Sequence, residues 1–370
     1  MTWELVRNTF RHMFRLSKTL IISIILAFNQ VVSVFGFEGS FTVMNIGESE
    51  NLPKSMKFSK GKLAVSLKVS GFIEASKDLN TWYGIQQGRR YLSKTDQEKI
   101  FYRVRKLMPR TVKTYVPKGY DKNRKHPLII NLHGFTGDWE HQNGYFPLQK
   151  HADDNGFIFC VPDGEYDGND RRRWNAIDAC CGTREDLPDD STYLKSVIKQ
   201  AKNNFNIDDD RIYCMGFSNG GMMSYRMAID HSDVLAGIVV IGGISYKDKK
   251  YAPKNPIHVL HVHGTQEENF HGTELGDLQF YHAATPSVED NLKNWAEFNQ
   301  CEILTISEKK LNLVERLSGN ETTVINYKND STGCDVELWK VAGGIHVEEY
   351  SSEMKKMMID WILSKKKIHK

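Results

Sequence analysis

Six short apolar runs in the second two thirds of the chain place the strongest constraint on its fold. Each run is rich in β-branched residues and is bounded by Gly, Pro or Asp. They are the segments 127–133, 156–162, 211–217, 235–243, 258–264 and 336–343. Their apolarity is continuous rather than alternating, which is typical of strands that are buried on both faces. The sequence therefore predicts a mostly parallel sheet that is covered by helices.

Segments with helical periodicity lie between and after these runs. Residues 190–204 place Leu194 and Val197 on one face, and they follow Asp189, which can cap the first turn. Similar patterns occupy residues 218–230, 287–298 and 349–365. Because strands alternate with helices along the chain, the fold class is predicted to be α/β.

The N-terminus has the layout of a secretory signal peptide. Four basic residues precede an apolar run at 20–28, and the small residues Ser33 and Gly36 follow it. The run is shorter than the roughly 20 residues that a membrane-spanning helix needs. We predict a signal peptide over residues 1–36 and a secreted protein, with an uncleaved signal anchor as the alternative. A membrane is expected as a partner only if this segment is retained.

The rest of the chain divides into two parts. Residues 37–108 show no sustained period and are predicted to be an N-terminal extension of uncertain structure, whereas residues 109–370 are predicted to form one domain. The 370-residue chain has 49 Lys and Arg against 46 Asp and Glu, a formal net charge of +3. This near balance argues against a nucleic-acid partner.

The six cysteines do not define a disulfide framework by themselves, because six cysteines allow fifteen pairings. Cys160 and Cys214 lie inside apolar runs and are predicted to be buried thiols. Cys180 and Cys181 are adjacent in a polar segment, and their pairing stays open.

The motif that carries chemistry is Gly-Phe-Ser-Asn-Gly-Gly at 216–221, after a predicted strand and before a predicted helix. A serine in Gly-x-Ser-x-Gly at such a turn is a nucleophile elbow, where the glycines relieve crowding and the hydroxyl projects outward. The sequence predicts Ser218 as a nucleophile. The start of the following helix also places the amide of Asn219 where it can stabilise an oxyanion.

A serine nucleophile needs a base, and the base needs an acid to orient it. In an α/β-hydrolase the acid and then the histidine follow the serine in loops after later strands. Glu267 follows the run at 258–264, and His346 follows the run at 336–343. We predict these two residues as acid and base, with Glu268 as the rival acid.

The oxyanion requires a second donor from a loop near the nucleophile strand. The segment His-Gly-Phe-Thr-Gly at 133–137 follows the first of the six runs and has the His-Gly opening typical of that loop. We predict the amide of Phe135 as this donor. The chemistry needs no cofactor, and none is expected.

Two other features have structural as well as functional interpretations. His261 and His263 form a His-x-His pair, but no second pair follows at ligand spacing, so no metal site is predicted and His263 is expected beneath the acid loop. Trp174 lies in a polar segment, where it could bind substrate by stacking or be buried in the core.

Several motifs together resemble the esterase / polyhydroxybutyrate depolymerase family, which includes feruloyl esterases and acetyl xylan esterases. They occur in the family's order as Leu132-His133-Gly134, Trp174-Asn175-Ala176, Cys180-Cys181-Gly182, Asp208 to Tyr213, Gly216 to Met223 and His263-Gly264-Thr265. The resemblance covers roughly residues 110–365.

This resemblance implies an α/β-hydrolase fold and a secreted serine hydrolase of carboxylic esters. Ser218, Glu267 and His346 take the places of the triad, and a disulfide between Cys301 and Cys334 is implied by the same comparison. The expected partner is an ester substrate, either linked to a polysaccharide or a polyester oligomer. The alternative is a binding protein on a degenerate hydrolase scaffold, either secreted or tethered to a membrane.

Overall fold

A computed structural model describes residues 110–167, 171–181, 188–273 and 283–369 with their side chains, and the backbone of six strands within residues 24–106. The chain divides into two compact units, Met1–Met108 and Pro109–Lys370. Residues 1–23 of the predicted signal peptide lie outside the described residues. In the described parts of the chain, no helix has both the length and the apolar character needed to cross a membrane.

The N-terminal unit contains a six-stranded antiparallel sheet. Its strands are β1 (Ile24–Ala27), β2 (Asn29–Phe35), β3 (Pro53–Ser59), β4 (Lys62–Ser76), β5 (Tyr83–Lys94) and β6 (Lys99–Lys106). The order is β1-β2-β6-β4-β3, and β5 pairs with β4. The segment that showed no clear pattern in the sequence thus contains four of these strands.

The C-terminal unit is built on a nine-stranded sheet. Its strands and those of a small hairpin are β7 (Val112–Tyr115), β8 (His126–Leu132), β9 (Ile158–Pro162), β10 (Glu165–Tyr166), β11 (Arg172–Arg173), β12 (Ile207–Phe217), β13 (Gly237–Ile241), β14 (His258–Gly264), β15 (Ile303–Ile306), β16 (Thr322–Asn329) and β17 (Cys334–Val341). The order across the large sheet is β15-β16-β17-β14-β13-β12-β8-β9-β7, whereas β10 pairs only with β11.

Six adjacent strands of this sheet are parallel, and they are the six apolar runs. Strands β17, β14, β13, β12, β8 and β9 pair in parallel in that order. Every residue of β8, β9, β13 and β14 is buried. The prediction of a mostly parallel central sheet is confirmed, because continuous apolarity reflects burial on both faces.

Among the residues described in the C-terminal unit, six helices accompany the sheet. They are α1 (Trp139–Tyr145), α2 (Gln149–Asn155), α3 (Asp190–Asn204), α4 (Asn219–Asp230), α5 (Val288–Phe298) and α6 (Ser352–Leu363). Alternate residues of β8 enter two separate cores. Leu128 packs in one core with Leu194 of α3 and Leu292 of α5, and Ile129 packs in the other with Met354 of α6. The sheet is therefore the middle of three layers.

The sheet edges differ from the predicted core. Strands β7, β15 and β16 pair antiparallel with their neighbours and extend the sheet on both sides. All four residues of β15 are exposed, although three of them are apolar. Because an edge strand is not covered by helices on both faces, its sequence lacks the continuous buried pattern that identifies the central strands.

Candidate active site

Ser218 lies at the sharp turn between β12, which ends at Phe217, and α4, which begins at Asn219. Its backbone has φ 53° and ψ −119°, a conformation that residues with a side chain rarely adopt. The Ser218 N–H donates to Ile241 O of β13 at 2.7 Å, and Ser218 O accepts from Met222 N at 3.0 Å. These two bonds hold the strained turn between strand and helix.

The turn requires glycine at two positions because other backbone segments approach closely. A Cβ at Gly216 would lie 2.4 Å from the carbonyl of Gly220, and a Cβ at Gly220 would lie 2.3 Å from Leu132 O. Real Cβ atoms do not tolerate such distances from backbone atoms. The glycines of the motif therefore allow β12, α4 and the end of β8 to meet beneath Ser218.

Three predicted residues form a continuous hydrogen-bonded line. The Ser218 Oγ is 2.9 Å from His346 Nε2. The Nδ1 of the same ring is 2.6 Å from Glu267 Oε2. Since a carboxylate only accepts, His346 Nδ1 carries the proton and Nε2 is left to accept from the serine hydroxyl. The structure thus gives His346 the tautomer that a general base requires.

Glu267 is nearly buried, with 5% of its surface exposed, and it accepts the Gly264 N–H at Oε1 at 2.9 Å. Burial acts to raise the pKa of this carboxyl group. The nearby His263 ring and the hydrogen bonds from His346 and Gly264 outweigh burial, so the net pKa lies below its ordinary value. Its rival Glu268 is exposed.

The loop that carries His346 is held by the side chain of Glu348. The Glu348 carboxylate accepts the Ile345 N–H at 2.7 Å and pairs with Arg316 at 2.5 Å. The Tyr145 hydroxyl donates to Glu348 O at 3.0 Å. This anchoring through Glu348 has no motif in the sequence and was not predicted.

The predicted oxyanion loop lies directly against the nucleophile. A Cβ at Gly134 would lie 3.5 Å from Ser218 Cβ and 3.0 Å from the Phe217 ring. Phe135 follows, with the Arg171 guanidinium 4.9 Å above its ring. The structure therefore brings the segment that contains Phe135 to the Ser218 turn.

His133 fastens this loop from below. Its Nε2 accepts the Gly164 N–H at 2.8 Å, and its Nδ1 donates to Gly134 O at 2.7 Å. Burial lowers the pKa of His133 to about 4, so the ring is neutral near neutral pH. A neutral ring has one donor and one acceptor, which matches its two partners.

Asn219 has a side-chain function that the sequence did not indicate. Its Oδ1 accepts the Trp174 N–H at 2.7 Å, and its Nδ2 donates to Trp174 O at 3.0 Å. Asn219 is fully buried. The residue whose amide was predicted to face the oxyanion thus also clamps the backbone of a neighbouring loop.

Trp174 is not available to stack on a substrate. Its side chain is completely buried, its Nε1–H donates to His133 O at 3.0 Å, and its ring packs on the His133 ring at 4.9 Å. The substrate-binding interpretation is therefore wrong. A buried indole needs a hydrogen-bond acceptor, and the carbonyl before the oxyanion loop provides one.

The disulfides also differ from the expectation. Cys301 and Cys334 are buried free thiols, and the Cys301 Sγ donates to Cys334 O at 3.5 Å. The bond predicted between them is not formed in this structure. The structure has a disulfide between the adjacent Cys180 and Cys181.

No group of three His, Cys, Asp or Glu side chains that could hold a metal ion occurs among the residues that the structure describes. His261 and His263 hydrogen-bond to each other, with Nε2 and Nδ1 2.9 Å apart.

Comparison with known proteins adds a family to this geometry. The family model described as phospholipase/carboxylesterase matches residues 119–293, which include the Ser218 turn and the Glu267 loop. The C-terminal unit has an α/β-hydrolase fold. The fold class predicted from the sequence is confirmed, since the family match agrees with the parallel sheet and the strand–serine–helix turn.

Several curated proteins that resemble this chain are esterases. Feruloyl esterase B from Piromyces equi is 28% identical over 244 residues, covering 63% of this chain and 41% of the relative. A bifunctional acetylxylan esterase/xylanase from Neocallimastix patriciarum is 29% identical over 190 residues, covering 50% of this chain and 26% of the relative.

A putative esterase from Nocardia uniformis subsp. tsuyamanensis is 30% identical over 139 residues, covering 37% of this chain and 39% of the relative. The resemblance to feruloyl and acetyl xylan esterases is confirmed. The chain spans less than half of the length of each of these three relatives.

Proposed function

We propose that this α/β-hydrolase cleaves carboxylic esters through a covalent acyl-serine intermediate. The observation that carries the proposal is the line from Ser218 through His346 to Glu267, with distances of 2.9 Å and 2.6 Å. This line supplies a nucleophile, a base and an orienting acid in one geometry. The esterase relatives support the same reaction class.

In the first half-reaction, Ser218 Oγ attacks the ester carbonyl carbon while His346 Nε2 takes the hydroxyl proton. Glu267 accepts the His346 Nδ1–H and stabilises the imidazolium that forms. The tetrahedral intermediate collapses as His346 returns the proton to the departing alkoxide. The alcohol leaves, and the acyl group remains bonded to Ser218.

The developing oxyanion requires donors on the far side of the carbonyl. We assign the backbone amides of Phe135 and Asn219 to this role. The Asn219 amide is in the first turn of α4, where the helix dipole favours negative charge. The closeness of Gly134 to Ser218 supports the assignment of Phe135. Removing one such donor costs roughly 10² to 10³ in kcat in other enzymes.

In the second half-reaction, His346 removes a proton from water, and the resulting hydroxide attacks the acyl-serine carbonyl. The intermediate collapses when His346 gives its proton back to Ser218 Oγ. The carboxylic acid is released and the free serine is restored. One ester and one water are consumed, and one acid and one alcohol are formed.

We propose that the esters are acetyl or feruloyl groups on a polysaccharide. The support for this substrate class comes from two relatives, a feruloyl esterase and an acetylxylan esterase/xylanase. A polyester oligomer is the competing substrate within the same reaction.

We also propose that the protein is secreted after removal of residues 1–36, a cleavage that would take strands β1 and β2 with it and leave β6 without its β2 neighbour. The basic and apolar pattern of the N-terminus supports this, and so does the Cys180–Cys181 disulfide, because disulfides persist in oxidising compartments. Mass spectrometry of the N-terminus of secreted protein tests the proposal. A mature chain that retains residues 1–36 would contradict it.

The test of the reaction is hydrolysis of p-nitrophenyl acetate, methyl ferulate, acetylated xylan and a hydroxybutyrate oligomer. Ser218→Ala should lower kcat by roughly 10³-fold or more. Ser196→Ala is the matched control, since its hydroxyl is exposed and bonds only within α3. The control should retain wild-type rates.

Labelling by a fluorophosphonate separates an esterase from a binding scaffold. The wild-type chain should be labelled on Ser218, and Ser218→Ala should not be labelled. A folded protein that is neither labelled nor active on any of these esters would contradict the proposed function. It would favour the degenerate binding scaffold instead.

A further inference from the structure

A buried row of polar side chains leads away from the acid of the proposed triad. The Asn291 Nδ2 donates to the Tyr225 hydroxyl at 2.8 Å, and that hydroxyl is 2.9 Å from His261 Nδ1. The His261 Nε2 is 2.9 Å from His263 Nδ1. Tyr225, His261 and His263 are fully buried, and Asn291 is 1% exposed. The proposed reaction uses none of these groups.

The row ends at the acid loop. His263 Nε2 lies 3.0 Å from Asn269 Oδ1 and 3.5 Å from Glu267 Oε2. Asn269 is two residues beyond the acid, and the Glu267 N–H bonds back to Gly264 O at 3.2 Å. His263 therefore contacts both the carboxylate and the far end of the loop that carries it.

The proton positions along the row follow from the carboxylate. Because Glu267 Oε2 can only accept, the His263 Nε2 carries a proton. Burial lowers the pKa values of both His263 and His261, so both rings are neutral near neutral pH. The bare Nδ1 of His263 then accepts from His261 Nε2–H, and the bare Nδ1 of His261 accepts from the Tyr225 hydroxyl.

Every donor in the row consequently points toward the acid loop, where the His263 Nε2–H is shared between Asn269 Oδ1 at 3.0 Å and the more distant Glu267 Oε2 at 3.5 Å. Bonds aligned head to tail polarise one another in a buried environment, and the positive end of this series faces the carboxylate. Such a field favours the ionised acid in a place where burial alone disfavours it. An ionised acid is what His346 requires in order to become an imidazolium during the reaction.

The side chain of Glu267 is longer than that of an aspartate, and His263 helps to restrain it. A glutamate has one more rotatable bond than an aspartate, so its carboxylate needs more restraint to keep one orientation. Gly264 N–H holds Oε1, and His346 holds Oε2. The His263 Nε2–H lies 3.5 Å from Oε2 on a fully buried ring that is itself hydrogen-bonded at both nitrogens, so it adds a weaker third contact that limits the remaining rotation.

We propose that His263 is a positioning residue for Glu267, and that Tyr225 and His261 orient His263 for this purpose. The inference rests on the proposed function, because it assigns the row to the acid of the triad. The competing explanation is that the row only stabilises the core between α4, α5 and β14. The two explanations differ in what a substitution does to kcat.

His263→Leu removes the donor and keeps the volume, whereas His263→Gln can restore an N–H near the former Nε2. We expect His263→Leu to lower kcat about tenfold with KM changed less than twofold, and His263→Gln to recover most of the loss. If the Leu variant does not fold, Tyr225→Phe replaces it, with an expected two- to threefold loss of kcat.

His258→Leu is the matched control. His258 is a buried histidine on the same strand, but its partners are the Asp335 N–H at 3.1 Å and Lys366 O at 3.1 Å. We expect this control to lower the melting temperature and leave kcat within twofold. An equal fall in kcat for His258→Leu and His263→Leu would overturn the proposal.

A double-mutant cycle that combines His263→Leu with Glu267→Gln measures whether the two residues act through each other. If His263 acts through the acid, then adding His263→Leu to Glu267→Gln changes kcat less than twofold. A purely structural role predicts that the two losses multiply, and this result would also overturn the proposal.

Measurements that need no turnover distinguish failure of the proposed function from failure of this inference. The proton on His346 Nδ1 is expected to resonate far downfield because its bond to Glu267 Oε2 is 2.6 Å, so this resonance and crystal structures of the variants report that bond directly. We expect His263→Leu to weaken the resonance and move Oε2 out of bonding distance, and His258→Leu to do neither. An unmoved Glu267 in the folded Leu variant contradicts the inference, whether or not the wild type hydrolyses esters.

Discussion

The nucleophile and the acid–base pair of this site are held in place by different means. Ser218 is fixed by backbone: a turn between strand and helix, two main-chain hydrogen bonds and glycines that allow close approach. Glu267 and His346 lie on loops and are fixed by side chains, including His263 and Glu348. We therefore expect changes to the glycines of the Ser218 turn to damage folding together with activity, whereas changes to side chains around Glu267 should lower activity and leave the fold intact.

The largest expected effect is at the backbone side. Gly220→Ala places a methyl group 2.3 Å from Leu132 O, so the turn cannot close without moving β8 or α4. We expect loss of activity together with a fall in melting temperature. Gly144→Ala is the control, because nothing lies within 4 Å of its Cβ position. A Gly220→Ala protein that is stable and active would remove the distinction between the two regions.

The next effect tests the side-chain region. Glu267→Gln keeps the shape of the acid but removes its charge and gives His346 a partner that can favour the wrong tautomer. We expect kcat to fall by roughly 10³ to 10⁴, as for the equivalent change in a protease triad, while the fold is retained. Kinetics and circular dichroism measure both. Glu268→Gln, at an exposed neighbour, should leave kcat within twofold, and an equal loss there would contradict the assignment.

A third prediction addresses the clamp between Asn219 and the Trp174 backbone. Asn219→Ala leaves a buried N–H and C=O without partners, which costs roughly 1–3 kcal/mol for each group. We expect lower stability and a kcat reduced about tenfold, because the oxyanion side of the turn loosens.

Asn299 provides a matched control for that variant. Its amide makes the same pair of bonds to the backbone of Ile257, at 2.9 Å and 3.0 Å, away from the site. Asn299→Ala should lose similar stability without the loss of kcat. Parallel losses of activity in both variants would show that the clamp acts only through stability.

The smallest effect is a dependence of stability on pH. The pKa of Glu267 is below the ordinary value of about 4.5, so the ionised acid stabilises the folded state above that pH. This contribution is lost as pH falls through the lower pKa of the folded state. The melting temperature of the wild type relative to Glu267→Gln should therefore decrease as the pH is lowered from 6 to 3. A constant difference would mean that Glu267 has the same pKa in both states.

The sequence predicted the central layer well and the edges poorly. The strands β8, β9, β12, β13, β14 and β17 were visible because they are buried on both sides, and that burial imposes continuous apolarity. Strand β15 has three apolar residues too, but all are exposed, and its place depends on pairing with β16. Such pairing is a tertiary property that leaves no period in a four-residue segment.

In the site as well, features set by local sequence were predicted, and features set by tertiary contacts were not. The glycines around Ser218 were readable because close backbone approach demands them, and Glu267 and His346 were readable because they follow later strands in the order typical of this fold. The direction of Trp174 was not, since it depends on a distant backbone carbonyl, His133 O, that the indole N–H meets, and the sequence also did not show that Cys301 and Cys334 stay free thiols. His263 was expected beneath the acid loop and lies there, but the row behind it joins strand β14 to helices α4 and α5.

The parallel sheet also affects how quickly this molecule folds. Each parallel pair requires a crossover, so neighbouring strands are far apart in the sequence, and Ser218 and His346 are separated by 128 positions. Chains dominated by such distant contacts fold slowly, because the entropy of closing long loops is lost before the contacts that reward it are made. Before the central strands have paired, their apolar faces are exposed and can associate with other unfolded chains. Low temperature and dilute conditions during refolding should therefore raise the recovery of native protein more than any change at the active site.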